Sequence, residues 1–491
     1  MEGVTGRMKK TGAAWWLCVV ALALSVGCGP KSPTEYPDGG GPVGEGGRPV
    51  VKAEAMEPFV KAMEVIHSNP QQAKELLAQA VKADNKFGEA YYNIGLLHHR
   101  EGKVKEAAEA YEKARQLRPD MAEPLVNLGM LAIEAGDFAK AKEYFLKVVD
   151  DEKGLDPFNV PANLNLGMLY RIAGEEKIAR HNEGKDMGGQ IGMEGVEERS
   201  FTVDEAARQD FAEAVRYVRK ALAGDSNNIF CYENLAAIYY MLNNLDVATL
   251  VSQQAIQKQI ERNAELDLYL EEGRITQQEY ELRRISDAQM SSVYNTYGLV
   301  WLARGEVALA YHWFKEAVAA KPDSIVAMLN VAGVAVNVQD YATAYEMYQN
   351  ALQVEPDNKE AMLSKAVAAR GLGNLEEAER IYRGMLDADK DFAPALFNLA
   401  ILYQEYHRDL EEAKRIFESF IAMPSAREMV PVNVVEAEQR VKQIVDIWEA
   451  QRKAEEDRRQ IEAEMEEMKR LQEERRRQQE AREKEEGSEG E

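Results

Sequence analysis

One pattern of 34 residues, repeated along the chain, limits what it can fold into more than any other feature. Residues 88–121, GEAYYNIGLLHHREGKVKEAAEAYEKARQLRPDM, read as two helices joined by a tight turn. In the first, Tyr91, Ile94, Leu97 and His98 recur at helical spacing. Gly102 marks the turn. Ala107, Tyr111 and Ala114 form the inner face of the second helix. Pro119, which has no amide hydrogen, ends it. Gly95 and Ala107 let the two helices approach, and Tyr91 and Tyr111 fill the space beside them. A helix pair this short cannot bury its apolar faces alone. Shifted by 34, Tyr91, Gly95, Gly102, Ala107 and Tyr111 become Leu125, Gly129, Gly136, Ala141 and Phe145. Later copies hold Tyr294, Gly298, Gly305, Ala310, Phe314 and Pro322, then Met328, Ala332, Ala344, Tyr348 and Pro356, then Met362, Ala366, Gly373, Ala378 and Tyr382. A last copy holds Leu396, Ala400, Ala413 and Phe417, with one extra residue in its turn.

The period, the small-residue pair and the helix-ending proline resemble the tetratricopeptide repeat family. The resemblance implies an all-α chain, a right-handed superhelix of helix pairs over residues 51–428, in about eight or nine repeats. A chain of 491 residues exceeds the usual single core. A solenoid escapes that limit because each repeat needs only its neighbours.

The N-terminus reads as an export signal. Arg7, Lys9 and Lys10 precede an uncharged run from Thr11 to Gly27, and residues 1–27 match a secretory signal in order and size. Leu24-Ser25-Val26-Gly27-Cys28 resembles the lipobox of bacterial lipoproteins, with serine where leucine is usual. That resemblance implies cleavage before Cys28 and acylation of its thiol, including palmitate. More than one acyl chain, at about 0.8 kcal/mol per buried methylene, gives stable anchoring. An uncleaved membrane helix, or cleavage elsewhere without lipid, remains an alternative. Residues 29–50 are a glycine- and proline-rich tether of about 25 Å root-mean-square span. Gly29, rather than aspartate, after Cys28 is compatible with sorting to the outer membrane facing the periplasm, by resemblance to enterobacterial lipoproteins.

Two insertions interrupt the repeats. Asn163, Leu166, Gly167 and Tyr170 mark a first helix whose partner, with Phe211, Ala214, Val218 and Ala221, follows only at 204–222. Between them, near 181–204, lies a glycine-rich stretch that is either a mobile loop or a binding element. The second insertion, 257–290, reads as a helical hairpin broken at Gly273 and capped by Thr276 with Glu279. It either projects toward a partner or lengthens two repeat helices. After the repeats, Val441, Ile444, Val445 and Trp448 mark a capping helix over 429–450. Residues 451–491 form a charged tail, either a solvated helix or a coiled-coil strand that pairs with another protein.

The formal net charge of −24 leaves no basic surplus for nucleic acid. No GxxxxGK[ST], GxSxG, HExxH or CxxC motif occurs, and His98 and His99, being adjacent, cannot readily share a metal. The sequence therefore predicts no enzyme, no cofactor, no metal and no small-molecule substrate. Cys231 sits at an apolar helix position, as a buried structural thiol would. The positive signal is asparagine at the sixth place of the repeat: Asn93, Asn127, Asn165, Asn234, Asn330 and Asn398. By resemblance this place faces the hollow side of the superhelix, where stacked asparagines in some relatives grip an extended peptide. A side-chain amide donates and accepts as a peptide unit does. The asparagines also suit bonds between neighbouring helices. Tyr92, Val126, Leu164, Leu329, Leu363 and Phe397 are the apolar neighbours, and Arg100, Arg171 and Arg370 the cations.

These features together predict a lipid-anchored scaffold that binds other envelope proteins through its groove and the membrane through Cys28. The layout also resembles repeat lipoproteins of the myxobacterial adventurous gliding machinery. That implies a place in a multiprotein envelope complex for surface motility. A pilotin-like or chaperone-like assembly factor for an outer-membrane pore, secretin or polysaccharide-export complex is the alternative.

Overall fold

The computed structural model describes residues 51–181 and 203–488. The signal segment, Cys28, the tether and most of the glycine-rich stretch after His181 lie outside the described residues. Among the described residues every regular element is a helix. No described helix is long and apolar enough to cross a membrane. The chain divides into two units, with described residues 51–181 and 203–334 in the first and 335–488 in the second.

The first unit is a succession of antiparallel pairs: α1 (Ala53–Val65) with α2 (Pro70–Ala83), α3 (Gly88–Arg100) with α4 (Val104–Leu117), and α5 (Glu123–Glu134) with α6 (Phe138–Val149). Then follow α7 (Val160–His181) with α8 (Glu205–Gly224), α9 (Ile229–Met241) with α10 (Leu245–Glu271), the short α11 (Gln277–Arg283), and α12 (Asp287–Ala303) with α13 (Val307–Ala320). Helix α14 (Ile325–Asn337) begins in this unit.

Local chemistry fixes these boundaries. The side chains of Asn69, Asp137, Asp204 and Asn244 accept backbone N–H groups that would otherwise be orphaned at a helix start. Between first and second helices the chain passes through a left-handed residue: Gly102 at φ +72°, Gly136 at +75° and Gly305 at +81°. Asn243 takes the same role at φ +55° without being glycine. Each pair then locks by a notch. A methyl group on Gly95 would stand 2.6 Å from the ring of Tyr111, and the same distance separates Gly129 from Phe145 and Gly298 from Phe314. Tyr111, Phe145 and Phe314 are all fully buried.

In the second insertion, α10 runs on to Glu271, Gly273 at φ +66° reverses the chain, and α11 returns. The capping box expected at Thr276 and Glu279 is present. Tyr280 Oη donates to Asp267 Oδ1 at 2.7 Å, and Asn263 holds both backbone groups of Ile285 at 2.9 and 2.8 Å. The added helix is thus tied back onto the end of α10.

The second unit continues the pairing with α15 (Tyr341–Val354), α16 (Lys359–Gly371), α17 (Leu375–Ala388), α18 (Ala393–Ile401), α19 (Leu410–Ala422), α20 (Pro424–Met429) and α21 (Pro431–Ser488). The extra residue of the last repeat lies in the helix and not, as the sequence suggests, in the turn. Residues Leu402–His407 continue α18 as a π-helical segment, the form a one-residue insertion takes inside a helix. The left-handed turn residue is displaced with it, to Arg408 at φ +55°.

The capping helix and the charged tail are one continuous helix. Helix α21 starts at Pro431 and passes through the change of composition without a break. No glycine or proline interrupts 432–486, and pairs such as Glu466 with Arg470 at 3.7 Å support the exposed face. Val434, Ala437 and Ile444 are buried beneath it, whereas every residue from 449 to 478 is exposed.

Candidate peptide-binding face

The six asparagines fall on the first helices of their pairs, but their surroundings differ. Asn93, Asn127, Asn165 and Asn234 are buried, and Asn330 and Asn398 are half-buried. Four spend the amide Nδ2 on the carbonyl four residues earlier in their own helix: Asn93 on Glu89, Asn165 on Pro161, Asn234 on Phe230 and Asn398 on Pro394, at 2.8–2.9 Å. The other two reach the first helix of the preceding repeat. Asn127 Nδ2 donates to Tyr92 Oη at 3.2 Å, and Asn330 Nδ2 donates to Asn295 Oδ1 at 2.7 Å.

Both cross-repeat bonds span 35 residues, from the sixth place of one repeat to the fifth of the one before. The period brings these two places together on adjacent first helices. Asn295 is the member that reading the sixth place alone misses. A search of each asparagine against the residue 35 earlier would have found it. Asn295 and Asn330 are both half-buried. The bond between them uses one donor and one acceptor, which leaves Asn330 Oδ1 as acceptor and Asn295 Nδ2 as donor beside it.

The predicted cations also separate. Arg100 is exposed. Arg370 Nη1 lies 3.4 Å from Asn398 Oδ1, which joins two of the sequence-selected residues within the second unit. Arg171 is buried and stands 3.8 Å from Glu175 and 3.7 Å from Glu233. Burial pushes the carboxyls of Glu175 and Glu233 above the usual carboxylate range, and the Arg171 guanidinium opposes that rise. Glu233 immediately precedes Asn234, so a charged cluster adjoins the asparagine row at that repeat.

The apolar neighbours grade from closed to open. Tyr92 and Val126 are fully buried, and Leu164 and Phe397 nearly so, whereas Leu329 and Leu363 are half-buried. His99 bridges two repeats, with Nε2 2.8 Å from Glu134 Oε1 and Nδ1 3.4 Å from Tyr111 Oη. Among the described residues no group of three or more metal-ligand side chains converges.

Family models of the tetratricopeptide repeat match residues 67–122, 98–157, 335–399 and 394–423. A Hordeum vulgare protein, the probable UDP-N-acetylglucosamine–peptide N-acetylglucosaminyltransferase SPINDLY, is 33% identical over 110 residues, 21% of this chain and 11% of that protein. The match therefore spans about a tenth of that relative's length, and the transferase activity in its name is that protein's own. Among solved structures the chain is similar to YrrB, a TPR protein with an unusual peptide-binding site. The identity is 17%, the TM-score 0.34, and the match covers 45% of this chain and 97% of that one. It is also similar to PilW, a type IV pilus biogenesis factor, at 18% identity and a TM-score of 0.37 over 55% and 95%. Pseudomonas aeruginosa pilF is similar at 16% identity and a TM-score of 0.33 over 66% and 98%. With its helix pairs, its glycine–aromatic notches and the matched repeat models, the chain is a tetratricopeptide-repeat protein, an architecture that supports binding of other proteins.

Proposed function

We propose that this chain is a lipid-anchored scaffold whose first helices hold a segment of another protein within a cell-envelope complex. The observation that carries the reading is the Asn295–Asn330 pair. One amide of the pair satisfies half of the other, and the groups left over are one acceptor and one donor side by side. A peptide unit offers the complementary donor and acceptor, and a main chain laid across the pair satisfies both. Half-buried Leu299 and Leu329 flank the pair and give an apolar seat for the side chains of such a segment.

The anchor rests on Leu24-Ser25-Val26-Gly27-Cys28 after a basic start and an uncharged run, followed by a tether long enough to let the repeats stand off the bilayer. We place the protein on the outer membrane, facing the periplasm, in a complex of the kind that drives surface motility. Its act there is reversible binding and not catalysis.

The test is photo-crosslinking in living cells from a benzoylphenylalanine at position 299, beside the intact pair, with products identified by mass spectrometry. One recurrent partner, mapped to one extended segment and lost in the Asn295→Ala/Asn330→Ala variant, is the expected result. Subunits of an outer-membrane pore or secretin as the recurrent products overturn the motility assignment in favour of an assembly factor. Products scattered over many proteins, or unchanged in the double variant, overturn the binding face. Metabolic labelling with a palmitate analogue checks the anchor: signal is expected with Cys28 and none with Cys28→Ser.

A further inference from the structure

Past Trp448, helix α21 leaves the rest of its unit. About forty residues of helix, roughly 60 Å long, follow, and every residue from 449 to 478 is exposed. On this stretch four large apolar side chains stand open to water: Ile461 is 58% exposed, Met465 57%, Met468 59% and Leu471 48%. Ile461, Met465 and Met468 are four and three apart, the spacing of a coiled-coil seam, and Ala454 and Ile447 continue it one and two heptads earlier. Exposed apolar residues that share one stripe mark a docking face and not a solvated one.

The charges on the same segment say what covers that face. Residues 455–467 hold seven acidic side chains against two arginines, a net of −5. Residues 469–477 hold five basic side chains against two glutamates, a net of +3. The acidic and basic blocks adjoin at Met468. Two copies side by side in the same direction would set acid on acid and base on base. Two copies in opposite directions, centred between Glu466 and Glu467, set each acidic block along the other's basic block. That register places Glu464 opposite Lys469, Glu456 opposite Arg477, and Met465 opposite Met468. A single helix thus carries both halves of a twofold contact, as an isologous interface requires. We propose that residues 455–477 of α21 pair antiparallel with the same residues of a second copy, making the scaffold a dimer through its charged helix.

The full-length chain in detergent provides the test, by sedimentation equilibrium. The expected mass is that of a dimer, shifting toward the monomer as salt is raised because the block pairing is exposed and screened. Met465→Asp/Met468→Asp is expected to weaken association at least tenfold, and Arg475→Glu/Arg476→Glu/Arg477→Glu to do the same. Both act on exposed positions, and unchanged far-ultraviolet circular dichroism confirms that the helix persists. A benzoylphenylalanine replacing Glu456 is expected to crosslink to residues near 477 of the other copy. A monomer at all concentrations, a dimer indifferent to both variants, or crosslinks from 456 to 456 overturns the proposal. A stoichiometric complex with a different protein on this stripe, in place of self-association, overturns it as well.

Discussion

The ring of Tyr111 lies on the bare Cα of Gly95, so close that a methyl group there would meet Cδ1 and Cε1 at 2.6 Å. The same contact joins Gly129 to Phe145 and Gly298 to Phe314. It explains why glycine and an aromatic residue recur together: each sets the approach of its helix pair. Gly95→Ala forces the ring or the helix to move, at a cost of about 1–3 kcal/mol. Urea unfolding followed by circular dichroism checks this. Adding Tyr111→Leu to Gly95→Ala is expected to recover part of the loss, because it clears the contact. An unchanged midpoint for Gly95→Ala would show that the notch is not tight.

The left-handed turn residue gives a prediction of opposite sign. Gln339 at φ +61° and Arg408 at +55° occupy a conformation that a side chain disfavours by about 1–2 kcal/mol, less the entropy a glycine would add to the unfolded chain. Gln339→Gly and Arg408→Gly are each expected to raise stability by about 0.5 kcal/mol or more. Gly305→Ala, at φ +81°, is expected to lower it by about 1 kcal/mol. Thermal unfolding of the three variants side by side decides the matter. A loss at Gln339 or Arg408 counts against the turn geometry.

Two asparagines that look alike in sequence should answer differently to leucine. Asn127 reaches Tyr92 in the preceding repeat at 3.2 Å, and Asn127→Leu removes that bond at a cost of about 1–2 kcal/mol. Asn93 bonds only a carbonyl of its own helix, and its buried Oδ1 has no partner. Asn93→Leu removes an unsatisfied acceptor and is expected to be neutral or stabilising. Equal losses at both positions would contradict this division.

The cluster around Arg171 gives a pH dependence. Burial raises the carboxyls of Glu175 and Glu233 above their unfolded value of about 4.3. The folded state therefore holds protons more tightly than the unfolded state there. The contribution is fully present below the unfolded value and is lost as pH rises through the higher folded value. Carboxylates held low by partners, such as Glu101 under Lys103 and Lys74 at about 2, act in the opposite sense. The measured quantity is thus the difference between wild type and Glu233→Gln in urea unfolding from pH 4 to 8. Relative to wild type the variant is expected to gain as pH rises. A difference that is flat across the range refutes the assignment.

How much of this was legible beforehand depended on whether the cause was local. Helix pairs, their period and the Thr276–Glu279 cap follow from residues within one or two turns of each other, and the sequence displays those directly. The π segment at Leu402–His407 was visible as one extra residue, but not its place, because helix and turn compete to absorb it over several positions. The change of composition at 450 marks the loss of burial beyond Trp448 and not the end of hydrogen bonding, so it could not show that cap and tail are one helix. Arg171 read as a groove cation because nothing near it reveals Glu233, which reaches it from another helix. Asn295 was hidden because its partner is defined only by stacking one repeat on the next.

Cys231 offers a way to ask whether the first unit opens as a whole. Its thiol is fully buried among Val218, Ala221, Phe230, Ala255 and Val293, and burial pushes its pKa well above the usual thiol range, with Asp225 adding to the rise. Only an exposed thiolate attacks a maleimide at an appreciable rate. Native protein is therefore expected to leave Cys231 unlabelled for hours at neutral pH and to label it within minutes in urea, with the modified peptide identified by mass spectrometry. The slow native rate then counts openings of the α7–α10 cluster. In a chain whose repeats contact only their neighbours, damage at α3 and α4 is felt weakly three pairs away. Gly95→Ala should thus leave the labelling rate of Cys231 within about twofold of wild type while shifting overall unfolding. A rise in step with the full loss of stability would instead show that the unit opens cooperatively, end to end.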